Sequence, residues 1–379
     1  MSRSFACEVC GATLDQLPRD PRCPDCRGPL SYQGVTTPEF VPTDLARRPP
    51  TMWRYREALP EVGTPVSLGE FMTPLLPLQA GSRQVLVKCE YQLPTGSYKD
   101  RGAAVLMSYL RQTGVRAAVE DSSGNAGAAL AAYAARAGIH LRVFCPDSTA
   151  GAKLAQITLT GAALERVPGP RQEATRALRE YLARTGAVYA SHLWHPLFLV
   201  GVKTMAFEIT EQLGWVAPAA VVCPVGAGSI LLGLYRGFCD LRRAGRIPRL
   251  PRLVAVQSGL ADAVYRAFTA GAEQVAPVFP SRPTVASGIA LPAPARGKEV
   301  LQALRRTRGT VVTVDEDDIL SGQRALAQAG FGVEPTSAVI WPGLLRLEHH
   351  MPLPAGAVVV CILTGHGLKS PAEPVMPHP

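Results

Sequence analysis

The sequence predicts an α/β protein built on parallel sheets and preceded by a small cysteine-rich module. Three observations carry that expectation. Apolar strands, glycine-bearing polar turns and helix-period segments alternate from about residue 85, the pattern left by crossover connections. Two Cys-x-x-Cys pairs stand within the first 26 residues. Finally Lys99, one of only six lysines in 379 residues, sits in a turn just ahead of a helical stretch. A chain so rich in arginine has little need of lysine for surface charge, so its place here points to chemistry.

Composition narrows the classes. The length suits two or three domains, and 47% hydrophobic with 18% charged residues is ordinary for a globular protein with a large core. No apolar run reaches the ~20 residues of a membrane span, and MSRSFACEVC carries no apolar signal core. A cytoplasmic protein without a membrane partner is expected. The net charge of +9 comes from scattered arginines and short doublets such as Arg242-Arg243. With no basic run interleaved with aromatics, nucleic acid is not expected as a partner.

From the N-terminus, Cys7-x-x-Cys10 and Cys23-x-x-Cys26 are twelve residues apart. Four thiolates at that spacing complete a tetrahedral zinc shell, so residues 1–33 read as a zinc ribbon with a structural metal. The other five cysteines lie in apolar surroundings and read as buried thiols. Residues 34–64, rich in Pro, Thr and Arg, read as a connector. Thr73-Pro74-Leu75 marks a turn, and Val85–Glu90 a short strand.

The stretch Pro94–Gly102 follows. Ser97 is a candidate N-cap, which puts Lys99 in the first turn of a helix continuing to about Leu110. An amine there suits Schiff-base chemistry with carbonyls, including that of pyridoxal phosphate. A strand from Ala117 then runs through Ser122-Ser123-Gly124-Asn125 into a helix over 128–137. Asn125 can donate its amide to an anionic or phenolic oxygen or stabilise its own turn. Strand and helix recur at 141–146 and 151, and at 163–167 and 171–185. An apolar strand ends at Gly226-Ala227-Gly228-Ser229 where a helix begins at once, which reads as a phosphate cradle. Near the C-terminus the strand 357–363 ends in Thr364-Gly-His366, where Thr364 can bond a neutral ring nitrogen. His366 reads as an acid/base group or a structural donor.

In this order the pieces resemble threonine synthase and its relatives among the fold-type II pyridoxal-phosphate enzymes, the tryptophan-synthase-β-like class. Ser97-Tyr-Lys-Asp-Arg101, Ser122-Ser-Gly-Asn125, Gly226-Ala-Gly-Ser229, Glu334-Pro-Thr-Ser-Ala338 and Leu363–Lys369 carry the likeness. It implies a large cofactor-binding α/β domain from 65–94 and 206–379, and a small α/β domain from 95–205. It also implies that Lys99 is bonded to the cofactor, that Asn125 meets the pyridine 3′-oxygen, that 226–229 hold the phosphate and that Thr364 meets the ring nitrogen. The activity implied is a carbon–oxygen lyase converting O-phosphohomoserine to threonine and phosphate, with a small amino-acid substrate and a homodimeric state. Elimination or replacement on another amino acid, or a non-catalytic homologue, are the alternatives.

The sequence departs from the family around the substrate. Ser122, Ser123, Ala126 and Phe198 are the candidate substrate residues. Ala126 stands where the family has Thr, and Phe198 aligns with an Arg that would grip the substrate phosphate. Losing that Arg removes a charge-assisted pair of about 1.5–3 kcal/mol.

Overall fold

The computed structural model describes residues 5–34, 39–81, 83–149, 151–354 and 356–369. Phe5–Cys7 (β1), Thr13–Leu14 (β2) and Leu30–Tyr32 (β3) form an antiparallel sheet ordered β2-β1-β3. So small a sheet buries little beyond Cys7, Cys23 and Leu30. It is therefore tied to the body: Phe5 enters the main core, and the buried Arg296 donates to the Leu30 carbonyl at 2.7 Å.

The segment 40–62 packs into the body. Phe40, Leu45, Met52 and Tyr55 are buried in the main core, with the Phe40 ring 5.6 Å from both Tyr55 and Phe207. The chain then enters a sheet edge through Leu75–Ala80 (β4) and Arg83–Cys89 (β5), an antiparallel pair.

Ala117–Glu120 (β6), His140–Pro146 (β7), Ala163–Val167 (β8) and Val188–Tyr189 (β9) build a parallel four-stranded sheet ordered β8-β7-β6-β9. The last strand has two residues and no sequence signal of its own. Ala220–Pro224 (β10), Arg252–Ser258 (β11), Thr310–Val314 (β12) and Val359–Leu363 (β13) return to the first sheet. Its order is β12-β11-β10-β13-β5-β4, parallel except for β4. Helices cover both faces, which explains the unbroken apolar run of β10: Val221 and Cys223 face one core, Ala220 and Val222 the other.

Strand order reverses between β10 and β13. Ligands of open α/β sheets sit at the carboxyl ends of strands at such a switch point. Here that places the turn 226–229, which follows β10, beside Thr364, which follows β13.

Candidate active site

The helix carrying Lys99 runs Lys99–Gln112, and its N-cap is Tyr98 with no side-chain cap bond. Ser97 is thus not the cap that the sequence suggested. The physical reason is that the chain approaches the helix along the end of β13. Ser97 bridges Gly365, and the Tyr98 N–H donates to the Thr364 carbonyl at 3.0 Å. The Ser97 hydroxyl is left buried without a partner. Asp100 organises the turn instead, accepting from the Thr95 N–H at 2.7 Å and from the Thr95 hydroxyl. Burial pushes Asp100 up to about 7 against those donors.

Lys99 is half-buried, with Nζ 3.5 Å from Ser229 Oγ, 4.8 Å from the centre of the Tyr98 ring and 5.7 Å from that of Phe198. The Tyr98 and Ser229 hydroxyls are 2.9 Å apart. Ser229 opens the helix Ser229–Arg243, and Gly228 before it has φ 81°. A side chain at Gly228 would also place its Cβ 2.5 Å from Val300. Glycine is therefore required for the turn to close, bringing Gly226, Ala227 and Gly228 against a helix start. The first-turn N–H groups of such a helix lack intrahelical acceptors and carry partial positive charge, a ready place for a phosphate.

Thr364 is buried and its Oγ1 has no partner, while its N–H donates to Ser337 Oγ at 2.8 Å. An orphaned buried hydroxyl at a strand end is costly unless a ligand meets it. Asn125 begins the helix Asn125–Ala137, and its Nδ2 lies 3.0 Å from each Glu334 oxygen. Sequence reasoning gave Glu334 no role of its own; its place in the Glu-Pro motif was the available signal. Ser122 Oγ accepts from the Gly124 N–H at 3.4 Å, Ser123 is partly buried and Ala126 is buried. His366 serves its turn: Nδ1 accepts from the Leu368 N–H at 3.1 Å and the ring packs 5.5 Å from Tyr91.

Beneath Lys99 lies a fully buried ionic network. Arg101 donates to both oxygens of Glu90 at 2.6 and 2.7 Å and to both of Glu208 at 2.7 Å, and Lys88 donates to Glu208 at 2.8 Å. Two cations and two carboxylates compensate one another, as buried charge must. The network ties the lysine helix to β5 and to the helix Thr204–Gln212.

A helix start with Ser229, an amine 3.5 Å away and an unpartnered Thr364 hydroxyl together suit a ligand with a phosphate, a carbonyl and a ring nitrogen. Residues 66–365 match the family described as pyridoxal-phosphate dependent enzyme. The chain belongs to that family. It is 33% identical over 373 residues to a threonine synthase of Methanosarcina acetivorans, covering 96% of this chain and 92% of that one. A threonine synthase of Synechocystis is 37% identical over 328 residues, covering 84% and 82%. Among solved structures it is similar to a threonine deaminase of T.th., with TM-score 0.66, 28% identity and coverage of 78% and 92%. The cofactor is pyridoxal phosphate and the protein is a lyase of this family.

Phe198 is the departure that matters. It lies on the helix Pro196–Val202, fully buried, and packs on Gly102, where a Cβ would sit 2.6 Å from its ring. The helix is capped by His195, whose Nδ1 accepts from the Leu197 N–H at 3.3 Å. Arg296 does not stand in for the missing Arg: it is buried and bonded to the Leu30 and Trp194 carbonyls and to Glu299. Arg171 lies 3.9 Å from Asp121, beyond the end of β6.

The four ribbon thiols lie within 4.8 Å of one another, with Cys7 and Cys26 at 3.4 Å and Cys10 and Cys23 at 3.7 Å. Such a set can hold a tetrahedral metal ion.

Proposed function

We propose that the chain is a carbon–oxygen lyase of the threonine-synthase type, acting on an oxygen substituent of an amino-acid side chain. The carrying observation is Lys99 Nζ beside Ser229 at a helix start, across from the unpartnered Thr364 hydroxyl. Lys99 would bind the cofactor covalently, residues 226–229 its phosphate, Thr364 its ring nitrogen and Asn125 its 3′-oxygen. When bound, the cofactor supplies an electron sink that acidifies the substrate Cα–H. Lys99, once exchanged by the substrate amine, is a base positioned to take that proton. Glu334 holds the Asn125 amide in place.

Two readings of the leaving group remain distinct. O-phosphohomoserine follows the relatives; an unphosphorylated side chain follows Phe198. Ser122, Ser123 and Ala126 belong to the same substrate region. The domains fall at 65–94 with 206–379 and at 95–205, and the ribbon carries a structural zinc. A cytoplasmic homodimer without nucleic-acid partners completes the reading; among the described residues no helix is long and apolar enough to cross a membrane. The test is to reconstitute the protein with pyridoxal phosphate and compare turnover of O-phosphohomoserine, homoserine, serine and threonine. Absence of bound cofactor would refute the proposal.

A further inference from the structure

Glu120 is the last residue of β6, and His192 follows the neighbouring strand β9. Both therefore stand at the carboxyl edge of the small sheet, on the side from which the Asn125 helix departs. Glu120 Oε1 and His192 Nδ1 are 2.5 Å apart. The carboxyl is fully buried and its Oε2 has no partner, while His192 keeps 6% of its surface exposed. Phe198 connects the pair to the lysine: its ring centre is 6.1 Å from that of His192 and 5.7 Å from Lys99 Nζ.

The surroundings bias the pair toward its uncharged forms. Burial, then the neighbouring Asp121, pushes the Glu120 carboxyl well above the usual range. Burial, then the charges of Lys99 and Arg171, holds the His192 imidazole well below its own. Asp121 is occupied by the Thr175 and Tyr189 hydroxyls at 2.7 and 2.8 Å, with Arg171 at 3.9 Å. Both shifts favour an uncharged pair: a carboxylic acid donating to Nδ1, and an imidazole whose proton is on Nε2.

Resting on the lyase reading above, we propose that His192, backed by Glu120, is the acid that protonates a departing β-hydroxyl, so that the substrates are unphosphorylated β-hydroxy amino acids. Phosphate leaves without help, but hydroxide does not, so a hydroxyl substrate needs a proton donor where a phosphorylated one needs cations. Phe198 aligns where the grip on phosphate is expected, and the buried Glu120–His192 pair packs against its ring. The step balances. The Lys99 amine takes the Cα proton, and the electrons left form the Cα–Cβ double bond. The Cβ–O bond breaks with its pair going to oxygen, which takes the Nε2 proton and departs as water. The Glu120 proton moves to Nδ1. A γ-substituent would need a second deprotonation at Cβ, for which no further base is assigned.

The test separates the leaving group from the rest of the reaction. His192→Asn and Glu120→Gln are compared with the unaltered holoenzyme on serine and threonine, and on 3-chloroalanine, whose chloride leaves without a proton. The expected kcat loss is about 10²-fold on the hydroxy amino acids, in the range for a general acid. On 3-chloroalanine it should be under about tenfold, which also shows that the variants fold. Equal losses on both would make the pair structural and overturn the proposal. So would O-phosphohomoserine turning over far better than serine and threonine, which leaves the lyase reading intact. In cofactor-free protein labelled at its imidazole nitrogens, NMR should find His192 neutral with its proton on Nε2 from about pH 5 to 8. A proton on Nδ1 alone would refute the proposal, since Nε2 could then only accept. Failure of the cofactor to attach at Lys99 would instead remove the lyase reading, and this proposal with it.

Discussion

The two sides of the lysine differ in kind. On one side, the start of the Ser229 helix, whose first N–H groups have no intrahelical acceptor, and the unpartnered Thr364 hydroxyl form a polar surface. On the other, Phe198, Glu120 and His192 form a tightly packed wall in which a ring replaces the expected arginine. On the proposed reading, the contrast teaches that cofactor and leaving group are recognised by separable surfaces. A chain can keep the first and rewrite the second.

Three perturbations sharpen that contrast, taken from the largest effect to the smallest. His195 caps the helix that carries Phe198, and burial with the nearby Arg296 charge holds its imidazole down at about 3. Unfolded, it titrates near 6.5, so between those values the unfolded chain binds more protons. Its contribution to stability is present above pH ~6.5 and lost as pH falls toward 3, roughly 5 kcal/mol in all. Denaturant unfolding across that range should show the loss, and His195→Asn, which keeps a capping side chain, should flatten it. An unchanged slope would mean that His195 is accessible to protons in the folded state.

Thr364→Ala tests the polar side. It should leave the cofactor bound and slow turnover about fivefold to tenfold, the worth of one hydrogen bond of ~1 kcal/mol, with Thr364→Ser restoring most of it. Loss of binding altogether would mean that Thr364 shapes the site rather than meeting a ring nitrogen. Least of all should the ribbon matter. Metal analysis should find one zinc per chain, lost in Cys7→Ser and Cys26→Ser, with cofactor absorbance and turnover near those of the unaltered protein. Zinc retained in both variants would contradict the four-thiol site.

Much of this was legible in the sequence because the relevant features are local. The strand–turn–helix alternation announced both parallel sheets, and Gly226–Ser229 announced a helix start. Lys99 stood out as a rare residue at a structural boundary. What was not legible depends on distant partners. Ser97 reads as a cap until the end of β13 draws it into a bridge with Gly365, and Glu334 meets Asn125 across 209 residues. Glu120 and His192 are 72 residues apart and become a pair only because β6 and β9, the latter two residues long, are neighbours. Residues 34–64 read as a connector by composition, yet Met52 and Tyr55 anchor them in the core.

The most direct test is to find where the cofactor attaches. Protein reconstituted with pyridoxal phosphate is reduced with borohydride, digested and mapped by mass spectrometry, alongside Lys99→Ala. The assignment predicts a single reduced adduct on Lys99, and in Lys99→Ala no adduct and no turnover. An adduct on Lys203, which is buried against Asp240 at 2.8 Å, or on Lys88 within the ionic network, would contradict it.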